Sequence, residues 1–173
     1  SIISDTATKD DENISKNKSE NINSKFIFDK DSFPSVEWSQ SFELIELDKG
    51  CINNSTFNQN IDFSVDTKIN FEKIFLKSFD EIMRDDIFDI QKLTIDENIQ
   101  SYEGLEYLTC LQYLDAGQGF KFWGRDYRFL SNLTELRYLN CNYCTHLRAE
   151  HLYPLNKLEY LITPAGFKNT SML

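Results

Sequence analysis

A seven-residue pattern recurs three times in the second half of the chain. Leu108, Leu111, Tyr113 and Leu114 return as Leu133, Leu136, Tyr138 and Leu139, then as Leu155, Leu158, Tyr160 and Leu161, each copy reading L-x-x-L-x-Y-L. The offsets are 25 and 22 residues. A period of that size marks stacked units, none of which can bury its leucines alone. A degenerate fourth unit starts at Ile90, where Leu93, Ile95 and Asn98 supply L-x-L-x-x-N. Leu93 and Ile95 alternate with Lys92, Thr94 and Asp96 as a short strand does, apolar side inward and polar side outward. Stacking such units predicts a parallel sheet, with the Asn98 amide bonding the turn that leaves the strand.

These residues resemble the leucine-rich-repeat family, and the 22-residue period with the run from Gly104 to Gly117 resembles its internalin-like bacterial branch. The resemblance covers about residues 69–168. It implies an α/β solenoid: a short repeat stack with a parallel β-sheet on its concave face and an N-terminal helical cap. Departures are also visible. Gly119 and Gly166 stand where the family favours Asn, Cys144 takes that place in the third unit, and Ala116 and Thr163 replace an inward Leu. The first full repeat is three residues longer, and Phe120, Phe122, Trp123, Tyr127 and Phe129 crowd its return segment, where they are expected to pack the convex side, the alternative being an exposed aromatic patch.

Ahead of the repeats, Phe71, Ile74, Phe75, Phe79, Ile82 and Met83 fall on one helical stripe, with Glu72, Lys73, Lys77, Asp80 and Glu81 on other faces. That spacing predicts an amphipathic helix over 69–88, placed to cap the first unit. Residues 1–25 mix Asp, Lys, Asn and Ser without a hydrophobic period and read as a disordered polar tail. Residues 26–68 are an uncertain segment, with a strand expected near Phe42, Leu44, Ile45 and Leu47, closed by a turn at Asp48, Lys49 and Gly50. The repeats then occupy 89–173, about four units. No motif survives beyond Gly166. The open end is expected to be met by a continuation past Leu173, by the 26–65 segment, or by a second chain.

Eighteen basic and 28 acidic side chains leave a net charge of −10, which repels phosphate backbones and argues against nucleic acid as a partner. No run reaches the ~18 apolar residues of a membrane span, so membrane insertion is not expected. The four cysteines, Cys51, Cys110, Cys141 and Cys144, are too few for a disulfide scaffold and assign no compartment. The resemblance favours a secreted or cell-surface protein, while cytoplasmic or host-delivered placement suits the same residues.

On a concave sheet the outward residues are the binding surface. Tyr113, Tyr138 and Tyr160 form one column with Lys92 in register before them; Asp115, Asn140 and Ile162 form the next with Thr94. Stacked tyrosines offer stiff amphipathic contact area, so this column is the expected site for another protein. The alternative is a ring ladder that only stabilises the sheet. A second function class rests on Cys141, Cys144, His146 and His151, which gather Cys/His zinc chemistry within eleven residues. Against it, both cysteines fall on inward repeat positions, where a thiol behaves as a small apolar group. No phosphate loop, nucleophile elbow or H-E-x-x-H motif occurs, the pair Asp85 and Asp86 reads as a helix end, and neither catalysis nor a cofactor is expected.

Overall fold

The computed structural model describes residues 26–29, 42–52, 60–95, 101, 103–116 and 127–167. Among them the chain forms an α/β fold around one all-parallel sheet. Its strands are β1 (Phe26–Asp29), β2 (Lys92–Thr94), β3 (Tyr113–Asp115), β4 (Tyr138–Asn140) and β5 (Tyr160–Thr163). Their order is β1-β5-β4-β3-β2, so the four later strands lie side by side in chain order and the earliest pairs with the last. Register follows the repeat: Lys92, Tyr113, Tyr138 and Tyr160 align, as do Leu93, Leu114, Leu139 and Leu161.

The same backbone bonds recur in each unit. Leu111, Leu136 and Leu158 each donate an N–H to the leucine three residues earlier, at 3.0, 3.0 and 3.2 Å. Three residues further back the bond repeats: Leu108, Leu133 and Leu155 donate to Leu105, Leu130 and Leu152 at 3.0 Å. The repeat is therefore longer than its seven-residue signature, and the added leucines close short 3-10 turns at Leu105–Tyr107, Arg128–Asn132 and Ala149–His151. All nine signature leucines are buried, as are the three added ones. All twelve lie in one shared hydrophobic core. Ala116 and Thr163 sit inward and buried as well. Of the crowded aromatics, Tyr127 is buried and Phe129 packs against the core; Phe120, Phe122 and Trp123, like Asn98, Gly119 and residues 1–25, lie outside the described residues.

The expected helix over 69–88 is corrected to three pieces. Helix α1 (Val65–Phe75) begins at Ser64, whose hydroxyl accepts from the Thr67 N–H at 3.2 Å, and stops at Leu76, which turns left-handed at φ 53°. A 3-10 turn at Phe79–Glu81 follows, entered where the Glu81 carboxylate accepts from the Ser78 N–H at 3.3 Å. Helix α2 (Arg84–Phe88) then leads into β2, with Asp85 and Asp86 in its first turn, where acidic groups suit the helix dipole. The stripe splits accordingly: Phe71 and Ile82 are buried and Phe79 partly so, whereas Ile74 and Met83 are exposed. Phe63, Phe71 and Phe79 meet ring to ring at 5.1, 6.1 and 6.3 Å, joining this region to the core of the first unit. Ser64 and Thr67 also donate to the carbonyls of Ser101 and Glu103, tying the start of α1 to the turn before β3.

The expected strand near residues 42–47 is absent: these residues join no sheet ladder. Residue Leu47 is followed by a 3-10 turn at Lys49–Cys51. Cys51 is disulfide-bonded to Cys110 across 59 residues, a pairing that composition alone did not indicate. Among the described residues no helix is long and apolar enough to cross a membrane.

Candidate functional site

Parallel pairing in register places equivalent side chains of successive strands beside one another, so the three tyrosines form a continuous column. Tyr113 and Tyr138 stack at 4.3 Å with planes 11° apart, and Tyr160 lies 6.3 Å beyond. The Lys92 ammonium stands 4.6 Å from the Tyr113 ring centre, a cation–π distance. Asp115 and Asn140 occupy the next outward position, joined by an Asn140 Nδ2 bond to Asp115 Oδ1 at 2.9 Å. The structure thus brings Lys92, Tyr113, Asp115, Tyr138, Asn140 and Tyr160 onto one face.

That face is not bare. Residues 42–48 run across it, and the Phe42 ring lies 5.4, 5.7 and 6.2 Å from the Tyr113, Tyr138 and Tyr160 rings. Tyr113 and Tyr138 are consequently buried, together with Ile162, in a small second cluster. Burial first, then the neighbouring Tyr113 and Asp115, push the Tyr138 phenol well above its ordinary range. The Tyr138 phenol therefore stays protonated at physiological pH.

Beside the tyrosines runs a polar row that the sequence reading missed. Gln112, Arg137 and Glu159 each precede a repeat tyrosine, with Gln91 in the first unit. Gln112 Nε2 donates to Gln91 Oε1 at 2.8 Å, Arg137 Nη1 donates to Gln112 Oε1 at 3.3 Å, and Arg137 Nε meets Glu159 Oε1 at 2.9 Å. This row grips the overlying segment through its main chain. Gln112 Nε2 donates to the Ile45 carbonyl at 2.7 Å while its Oε1 accepts from the Ile45 N–H at 3.0 Å. Arg137 Nη1 donates to the Glu43 carbonyl at 3.0 Å, and its guanidinium stands 4.9 Å from the Phe42 ring centre. Further along, the Thr109 hydroxyl donates to the Cys51 carbonyl next to the disulfide. The available signal was positional: the residue before each repeat tyrosine recurs at the repeat's own spacing.

The Cys/His cluster does not assemble. Cys141 and Cys144 lie buried beneath the sheet, and burial, followed by the hydrogen bond with Cys144, pushes the Cys141 thiol well up. His146 is on the surface, and His151 uses Nδ1 to accept the Arg148 N–H at 3.1 Å. Both histidines line an outer cleft of about 890 Å³ with Arg128, Arg148 and Glu150. Among the described residues no group of three or more His, Cys, Asp or Glu is arranged to hold a metal ion. Comparison with family models, curated proteins and solved structures found no match.

Proposed function

We propose that the chain is a protein-recognition module: a short leucine-rich-repeat solenoid of about four units, with the α1–α2 region as its cap and the tyrosine face as its concave binding surface. The observation that carries this reading is Phe42 seated across Tyr113, Tyr138 and Tyr160. A polypeptide segment already lies on this face, which supports reading it as a surface suited to polypeptide. Tyrosine and arginine, the residue types that dominate interface energetics, both meet that segment there. The repeat resemblance supports the same architecture as analogy at the level of fold. The Cys51–Cys110 bond supports an oxidising compartment, hence a secreted or cell-surface protein that engages another protein.

The test is capture of ligands from an extracellular or cell-surface extract on the immobilised full chain. The comparison is a Lys92→Glu, Asn140→Arg variant shown by circular dichroism to be folded. A ligand held by the wild type and lost by the variant supports recognition through this face. Equal retention by both moves recognition elsewhere, and retention of nothing by the wild type and by a folded Phe42→Ala, Ile45→Pro variant removes the reading.

A further inference from the structure

We propose that residues 42–48 are a built-in stand-in for the partner, so that the tyrosine face takes an extended peptide bearing an aromatic side chain. The inference rests on the recognition reading above and names the chemistry of its partner.

The segment is attached as a ligand is attached, not as a core element. Leu44 and Ile45, its apolar side chains next to Phe42, remain 45% and 49% exposed. A core strand would bury one of them and hydrogen-bond to a neighbouring strand; among the described residues this segment does neither. Its main chain is instead held by side chains of the sheet, Gln112 on both polar groups of Ile45 and Arg137 on the carbonyl of Glu43. Contacts to peptide groups read an extended backbone without reading its sequence. One ring supplies selectivity, because Phe42 is the residue of the segment that meets all three tyrosines and the Arg137 guanidinium. The resulting pattern is an aromatic residue followed, three positions later, by a residue whose N–H and carbonyl are clasped by one amide.

The covalent arrangement fits a stand-in as well. Cys51, just past the segment, is bonded to Cys110, two residues before the clasping Gln112. The bond keeps the segment at high effective concentration over the face, so a free peptide must compete with a tethered one. Opening that bond loosens the tether while β1 on β5 still holds the other side, and removing the Phe42 ring takes away the anchor on the tyrosines.

The probe is a fluorescein-labelled peptide of residues 41–48, SFELIELD, followed by fluorescence anisotropy against the full chain. The proteins are the oxidised wild type, the reduced wild type, a release variant carrying Phe42→Ala and Ile45→Pro, and the release variant with Gln112→Ala added. Far-ultraviolet circular dichroism establishes folding for each. The release variant is expected to bind the probe at least about tenfold more tightly than the oxidised wild type, the reduced wild type falling between them. Replacing the probe's phenylalanine by alanine, or adding Gln112→Ala to the protein, is expected to weaken binding at least about tenfold.

Refusal of the probe by a folded release variant overturns the inference, as does binding that ignores the loss of the probe's ring. A reduced wild type that elutes as a dimer with exchanged segments also overturns it, because the occupant would then be a second copy of the chain. If the probe is refused while the Lys92→Glu, Asn140→Arg variant still loses a captured ligand, the stand-in falls and recognition through the face stands.

Discussion

Reducing the Cys51–Cys110 bond should cost a large part of the stability of this fold. The cross-link spans 59 residues. In the chain-entropy treatment a loop of that size removes about 14 cal/mol/K from the unfolded ensemble, or about 4 kcal/mol at 25 °C. The loop holds α1, α2 and β2, so its release frees that whole region in the unfolded state. Urea unfolding, followed by circular dichroism with and without a phosphine reductant, measures the effect. With a slope of about 1–3 kcal/mol/M, the midpoint should fall by between about 1 and 4 M. The slope itself should rise, because the unlinked unfolded chain exposes more surface. Thiol titration of the oxidised protein in denaturant should find the two free cysteines, Cys141 and Cys144, and four thiols after reduction. Unfolding free energies that agree to within about 0.5 kcal/mol would refute the assignment of the cross-link as a main constraint on the unfolded chain.

Gly104→Ala is expected to destabilise by about 2–5 kcal/mol, combining a left-handed backbone with overpacking. Gly104 has φ +100°, and an added Cβ would lie 2.1 Å from the Phe63 ring; a second Phe63→Leu change should restore part of the loss in thermal unfolding, and no restoration would separate the two sites. Leu139→Ala removes a fully buried repeat leucine and should cost about 2–5 kcal/mol, whereas Ile45→Ala on the overlying segment should stay within about 0.5 kcal/mol. Equal costs would contradict the surface placement of residues 42–48. Alkali should destabilise the protein through Cys141. Its folded pKa is raised above the ordinary 9.0, so the unfolded state loses its proton first, and stability is full below pH 9 and declines above it. In urea unfolding across pH, Cys141→Ala should delay that decline until the tyrosines titrate in the unfolded state, above their ordinary 10.0; an unchanged onset would exclude the thiol as its source.

The parts of the fold legible in the sequence were those repeated in it. The same seven-residue pattern around Leu114, Leu139 and Leu161 leaves one natural register despite offsets of 25 and 22 residues, and the tyrosines beside them then share a column. Single-copy features were read less well. The stripe over 69–88 was continuous enough to suggest one helix, yet the Ser78 and Glu81 pair is a capping box, and Leu76 turns the chain ahead of it. Alternation around Phe42 and Leu44 was mistaken for a strand because extended backbone has that pattern whether it pairs with a ladder or, as here, with the Gln112 side chain. The Cys51–Cys110 pairing joins residues far apart in the chain, and no local spacing announces such a bond. Gln112, Arg137 and Glu159 were passed over because they share position but not chemistry.

The pairing of β1 with β5 orders events during synthesis. A ribosome delivers β2, β3 and β4 in turn, and each can settle on its predecessor as it emerges, because neighbours in this part of the sheet are neighbours in the chain. β1 is made before all of them and has no partner until Tyr160–Thr163 has been translated. It must wait as a spectator, and its docking closes the longest loop in the sheet, a slow step. Until then the outer side of β5 is a bare template for strand addition, open to β1 of another nascent chain as readily as to its own. Crowded translation of this protein should therefore favour intermolecular β1–β5 pairing, and the interval between completion of β5 and arrival of β1 is the window in which a chaperone would be of use.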